Sequence, residues 1–273
     1  MLTALVLLAL WLPTLWLHNP WPFIVLTLLL VSAAAWEWSR LNGVDGAAAW
    51  VSGAGLAAIG LAVALATGVN HDAPALWWLA ACVWVAGGAT VLRRGPARWP
   101  ALSRALRVAI GLAALGIAWW ALVQARINGV NYLLSVLCVV WMADVAAYFG
   151  GRAWGRRKLA PVISPSKSWE GAISGMVGVL LLAWLWIALD ARVATDSASL
   201  FTQLRQRFGV PAMAVAVLAL TGVSVMGDLL ESLIKRAVGA KDSSGLLPGH
   251  GGVLDRIDAL LPVLPCALAL TTL

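Results

Sequence analysis

Apolar residues run in long blocks separated by short polar or glycine-rich stretches, and the length of those blocks predicts the elements. A helix needs about 20 mostly apolar residues to cross the hydrocarbon core of a bilayer, with roughly 17 to 25 tolerated. Nine blocks approach that length, at residues 1–17, 21–38, 46–67, 74–92, 106–123, 130–149, 169–189, 211–233 and 259–273, the first and last being short. The first has no basic residue before it and no small-residue cleavage motif after it, so it reads as a retained helix rather than a signal peptide. The expected fold class is therefore all-α, a polytopic integral membrane protein with about nine transmembrane helices.

Composition gives the same answer. Of 273 residues, 62% are hydrophobic and 11% charged, where a soluble domain carries about 25% charged residues. Mean hydropathy is +0.88. Such a chain cannot cover a water-facing surface, which excludes a soluble globular enzyme. The net charge of +7 would suggest nucleic acid in a soluble protein, but in a membrane protein an excess of Lys and Arg first sets orientation. No nucleic-acid partner is expected. Cys82, Cys138 and Cys266 are isolated within apolar stretches and indicate neither a disulfide framework nor a cysteine metal site.

With the N-terminus inside, alternating spans place 15 of the 19 basic residues on the cytoplasmic side, leaving Arg126, Arg192, Arg205 and Arg207 outside. That split favours nine spans with the C-terminus outside. Many of the 17 tryptophans lie near span ends, among them Trp36, Trp38, Trp77, Trp78, Trp99 and Trp169; an interfacial belt with bundle packing accounts for them.

Charge is scarce, so its location is informative. Residues 142–170 and 228–258 hold 16 of the 31 charges, seven of them acidic. Orientation calls for Lys and Arg there but gives no reason for acids. Asp144 lies eight residues before Arg152, and Asp228 seven before Lys235, which sets each carboxylate about 10–12 Å below its basic anchor. An ionisable group at such depth marks a functional site. Asp228, Glu231, Ser232 and Lys235 follow i, i+3, i+4, i+7 spacing and form one polar stripe. The stripe leads to Arg236, Lys241, Asp242, the run GLLPGHGG at 245–252, and then Asp255, Arg256 and Asp258.

Glycine-rich backbone lets N–H groups approach phosphate oxygens, and nearby cations neutralise them. Carboxylates suit Mg²⁺, a hard ion that takes carboxylate, water and phosphate oxygens. The combination points to phosphoryl or nucleotidyl chemistry at the cytoplasmic membrane face. In the other loop, PVISPSKSWEG at 161–171 flanks Lys167 with Ser164, Ser166 and Ser168 just before a helix start, a composition suited to an anion. His250 is a single histidine between glycines, with no role readable from spacing alone. The chain thus divides into N-terminal and middle transmembrane helices at 1–129 and a catalytic transmembrane region with two cytoplasmic motif loops at 130–273.

The run SLIKRAVGAKDSSGLLPGHGGVLDRID at 232–258 resembles the signature of the bacterial phosphatidate cytidylyltransferase, or CDP-diacylglycerol synthase, family. Residues 142–171 resemble the family's second motif block, and AWEW at 35–38 is similar to its N-terminal third. Val145 departs from the family, which usually has a small hydroxyl residue after the Asp, whereas Ser168 keeps the hydroxyl of a usual Thr. The resemblance implies conversion of CTP and phosphatidate to CDP-diacylglycerol and pyrophosphate with Mg²⁺. It implies a multi-pass protein of the bacterial cytoplasmic (inner) membrane, with its active site facing the cytoplasm, and a homodimer.

Asp228 and Asp255 match the family's metal-binding acids, and Asp144 and Asp258 are expected to support them. Lys167 joins Asp228 and Asp255 as a candidate catalytic residue. Substrate binding is expected from Lys167, Ser164, Ser232, Lys235, Arg236, Lys241, His250, Gly251, Gly252 and Arg256. The competing readings are a CTP-dependent lipid-alcohol kinase or an archaeol-type cytidylyltransferase. A transporter would not need the glycine-rich loop.

Overall fold

The computed structural model describes residues 2–249 and 251–272. Its elements are α1 (Leu2–Trp16), α2 (Trp21–Leu41), α3 (Ala47–Thr67), α4 (Pro74–Arg94), a 3-10 turn (Pro96–Ala101), α5 (Arg104–Ile127), α6 (Val130–Trp154), β1 (Lys158–Ala160), β2 (Ser164–Ser168), α7 (Trp169–Asp190), α8 (Leu200–Ala237), α9 (Leu254–Ile257) and α10 (Leu260–Thr271). Helices α2 to α8 are long and apolar enough to cross a membrane. The protein is a multi-pass, all-α membrane protein apart from one small hairpin.

Of the nine expected spans, seven are matched by helices of membrane-crossing length among the described residues. The end helices have only 15 and 12 residues, or about 22 and 18 Å at 1.5 Å per residue. α10 is apolar on every side because protein surrounds it: residues from Leu261 to Ala269 are buried, against α4, α5, α6 and α8. It starts beside the Asp255–Asp258 segment. It ends where Thr271 Oγ1 meets Tyr132 Oη at 2.8 Å, in the first turn of α6.

Two local features position the charged elements. α8 is broken at Gly209 (φ 76°, ψ 174°), just before Pro211. The left-handed φ needs glycine, and the break frees the span that carries Asp228 from the short segment before it. α6 and α7 pack closely: a Cβ at Gly150 would collide with Ser174 Oγ and one at Gly175 would stand 3.0 Å from the Ala143 carbonyl oxygen. Small residues at these crossings let the backbones approach.

The tryptophans divide between packing and surface. Trp38, Trp77 and Trp99 are buried and donate to the Arg107 carbonyl, Asp72 and Asn42 respectively. Trp78 and Trp169 lie at the surface.

Candidate functional site

The loop after α6 is ordered by its own polar groups. β1 and β2 pair antiparallel, Lys158 opposite Ser168 and Ala160 opposite Ser164. Ser168 Oγ accepts the Gly171 N–H at 3.2 Å and caps α7. The Glu170 carboxylate accepts the N–H groups of Arg156 and Arg157, folding the basic run back onto the helix start. Lys167 is thereby carried on a strand. Its Nζ pairs with Asp228 Oδ2 on α8, and Ser232 Oγ, one turn on, donates to Asp228 Oδ1 at 3.3 Å. Asp144 of α6 and Asp258 before α10 both lie within electrostatic reach of Asp228. Burial, with the Asp228 charge beside it, pushes the Asp258 carboxyl up to about 7.

A second network is built on Lys235. Its Nζ bridges Glu231 Oε2 at 2.5 Å and Asp255 Oδ1 at 2.7 Å. Asp255 Oδ2 accepts the N–H groups of Ser243 at 3.0 Å and Gly252 at 2.7 Å, and Ser243 Oγ lies 3.0 Å away. Burial works to raise the Asp255 pKa, but the polar surroundings, Glu231 beside it and the hydrogen bonds that it accepts from Lys235, Gly252 and Ser243, outweigh it and hold the carboxyl well below the usual range. The Gly252 N–H therefore serves Asp255, rather than standing open to a phosphate as the glycine-rich run suggests.

Beside these networks, α6, β2, α7 and α8 enclose a cavity of about 380 Å³, whose polar lining is Asp144, Tyr148, Arg152, Ser166, Lys167 and Ser168. Among the residues expected from sequence, Lys167 and Asp144 line it directly. Ser164 stands outside this lining, its Oγ 3.5 Å from Ser166 Oγ. Arg236, Lys241 and Arg256 are exposed around the loop end. His250 lies outside the described residues.

The four acids expected to hold metal do not form one cage. Among the described residues no three His, Cys, Asp or Glu side chains converge at metal-binding range. Asp144, Asp228 and Asp258 share one neighbourhood, while Asp255 belongs to the Lys235 network. Mg²⁺ usually keeps several waters and takes one or two carboxylates plus substrate phosphates rather than an all-protein cage, so the oxygen donors present fit an ion that arrives with a nucleotide. Glu231 adds to that donor set: its Oε1 is buried and has no hydrogen-bond partner among the described residues.

Sequence reasoning left Glu231 in the polar stripe without a site role, and passed over Ser243 and Glu37. Glu37 is fully buried on α2 and binds Ser243, Ser244, Val253 and Leu254. The available signal was an acid in the last turns of a predicted span, a placement costly enough to need a purpose.

The family model described as the cytidylyltransferase family matches residues 1–273. A Pseudomonas aeruginosa protein named phosphatidate cytidylyltransferase is 37% identical over 98% of this chain and 94% of its own length. Proteins of the same name from Haemophilus influenzae and Staphylococcus saprophyticus are 48% and 38% identical. Those matches cover 50% and 57% of this chain and span about half of each relative, 44% and 55%. With its whole length matched, this chain belongs to the cytidylyltransferase family.

Proposed function

We propose that this protein is a phosphatidate cytidylyltransferase of the bacterial inner membrane, making CDP-diacylglycerol and pyrophosphate from CTP and phosphatidate at the cytoplasmic face. The observation that carries the reading is the meeting of Lys167 and Asp228, from the two separate charged segments, beside a cavity with a polar lining. A soluble substrate requires access from water and a lipid substrate access from the bilayer, and acids part-way down the membrane helices suit both. The 15 basic residues on one side of the alternating spans support a cytoplasmic site.

In the reaction a phosphate oxygen of phosphatidate attacks the α-phosphorus of CTP. The new P–O bond forms as the bond to the bridging oxygen between the α- and β-phosphates breaks, and pyrophosphate leaves with the electron pair. Phosphatidate is already ionised at neutral pH, so no strong general base is needed. Lys167 and Lys235 would neutralise phosphate oxygens once released from their carboxylates. Exposed Arg236, Lys241 and Arg256 would draw the triphosphate to the loop end. Asp228 and Asp255 would hold Mg²⁺, with Asp144 and Asp258 nearby in support and Glu231 as a further oxygen donor. When bound, Mg²⁺ supplies Lewis-acid stabilisation of the charge that develops on the transferring and leaving oxygens.

The test is a product assay. Membranes containing the protein, given CTP, Mg²⁺ and phosphatidate, should form a CDP-lipid and pyrophosphate; CDP without CDP-lipid would identify a kinase and overturn the reading. Repeating the assay with the four nucleoside triphosphates reads the base preference.

A further inference from the structure

Glu37 stands in the last turns of α2 with none of its surface exposed. Its two carboxylate oxygens accept hydrogen bonds from a single distant segment. Oε1 takes Ser244 Oγ at 2.5 Å and the Val253 N–H at 3.0 Å. Oε2 takes the Leu254 N–H at 2.7 Å and faces Ser243 Oγ at 3.3 Å. Ser243 Oγ also lies 3.0 Å from Asp255 Oδ2, so its one hydrogen serves either carboxylate and links Glu37 to the Lys235 network.

Two independent features show that this contact is built into the fold. A Cβ at Gly252 would run into Ser243 Oγ and stand 2.6 Å from Glu37 Oε1, so glycine is needed there for the loop to close on the carboxylate. The end of α2 is itself clamped. Trp38 Nε1 donates to the Arg107 carbonyl at 3.0 Å, Asn42 Nδ2 to the Trp38 carbonyl at 2.9 Å, and Trp99 Nε1 to Asn42 Oδ1 at 3.0 Å.

We propose that Glu37 is a positioning residue for cytidylyl transfer. Resting on the function proposed above, this inference has Glu37 fix Ser243, Ser244, Val253 and Leu254 from a rigid post on α2, so that Asp255 is presented at a set height against Lys235. Glu37 reaches the reaction only through that loop. A carboxylate is required because both oxygens face N–H or O–H donors. Glutamine has nearly the same shape, but its NH₂ would confront a backbone N–H of Val253 or Leu254, which cannot turn to accept. The loop must then move, and Asp255 moves with it.

The test compares full-length wild type, Glu37→Gln, Ser244→Ala, their double variant and Asp190→Asn in lipid, with rates normalised to folded protein. Displacement by about 1 Å costs on the order of a hundred-fold, so Glu37→Gln should lose about that factor in kcat/KM, with a raised KM for CTP. Ser244→Ala removes the hydrogen bond to Glu37, together with the local acceptor for the Leu246 N–H at 3.0 Å, and leaves α2 intact, for an expected loss of about three- to ten-fold. The double variant should be no worse than Glu37→Gln alone, because both act through one contact. Asp190 likewise accepts four hydrogen bonds, from Ser199, Thr202 and Asn131, at the other end of the bundle. Its variant should lower yield or stability while keeping the KM for CTP. Hydrogen exchange across residues 240–255 should quicken in Glu37→Gln and in Ser244→Ala, a readout independent of turnover. A wild type that makes no CDP-lipid would remove the function reading while leaving loop anchoring measurable by exchange. The positioning role is overturned if folded Glu37→Gln keeps kcat and KM within about two-fold of wild type, or if the two substitutions add independently. Should Glu37→Gln fail to fold, Ser244→Ala decides alone: unchanged kinetics and exchange overturn the role.

Discussion

At one end of the bundle Asp228, Glu231 and Asp255 face lysines, beside Glu37 and Glu170, which hold backbone; at the other, Asp190 and Asp196 face only the starts of helices. Asp190 accepts the Ser199 N–H and hydroxyl, the Thr202 hydroxyl and Asn131 Nδ2 at 2.5–3.1 Å, and Asp196 accepts the N–H groups of Val130 and Asn131 at 2.5 and 3.0 Å. These bonds satisfy orphan donors where α6 and α8 begin, which is ordinary capping. At the loop-bearing end Asp228 pairs with Lys167, and Lys235 is shared by Glu231 and Asp255. There Asp144 and Asp258 add charge near Asp228, and Glu231 keeps a buried oxygen with no partner among the described residues. The same residue types serve both ends. Carboxylates bound by neutral donors hold backbone in place, whereas those bound by lysines can exchange partners when phosphate and a metal arrive.

Breaking the reactive end should therefore have the largest effect. Asp228→Asn keeps the side-chain volume but removes the charge that Lys167 faces and a ligand proposed for Mg²⁺. Loss of such electrostatic stabilisation costs about 10²–10³-fold for one group, and with the metal site also impaired turnover should fall below detection. Insertion and thermal stability should stay near wild type, because the Asp228 side chain is part-exposed. Wild-type activity in this variant would remove Asp228 from the site. Chelation of divalent cations should stop CDP-lipid formation to the same extent, and added Mg²⁺ should restore it; a rate indifferent to both would exclude the metal.

Next in size is the lysine exchange itself. Lys167→Met removes the cation of the Asp228 pair while keeping an unbranched chain in the hairpin. If Lys167 leaves Asp228 to hold phosphate, the variant should lose about 10²-fold in kcat/KM. Nucleotide or lipid binding should weaken as well, read by equilibrium binding of each substrate separately. Unchanged binding of both substrates would reduce Lys167 to a structural counter-charge, like the partners of the opposite end.

The contrast also explains what the sequence made legible. Block length located six of the seven long helices to within about five residues, for example 169–189 against Trp169–Asp190, since a bilayer imposes its thickness on them, while 211–233 matched only the part of α8 beyond its break at Gly209. At 259–273 the block yielded a helix of only 12 residues, α10, packed against α4, α5, α6 and α8. Asp228, Lys167 and Lys235 were found because charge is rare and they fell in dense windows. Glu37 was not assigned a role because its four donors lie 206 to 217 residues away along the chain, a pairing that no local window contains. The hairpin was missed for a related reason. Its strands hold no alternation of apolar and polar residues, and their pairing depends on Glu170 and Ser168 binding backbone N–H groups.

The smallest expected effect sharpens the comparison from the structural end. Asp196→Ala removes two acceptor bonds from the first turn of α6, whose own cap, Gly129, offers no side-chain acceptor. Loss of a cap typically costs about 1 kcal/mol, and Asp196 is exposed, so water replaces part of what is lost. Asp144 lies 14 residues further along α6, about 21 Å away, and sites this far apart with no shared partner act additively. The variant should therefore show a lower denaturation temperature in detergent, an unchanged KM for CTP and unchanged kcat per folded molecule. Combined with Ser244→Ala, its stability loss should add to that variant's while the kinetic loss stays that of Ser244→Ala alone. A shift in KM for CTP from Asp196→Ala would mean that the two ends are coupled through α6, and that the division between capping acids and reactive acids does not hold.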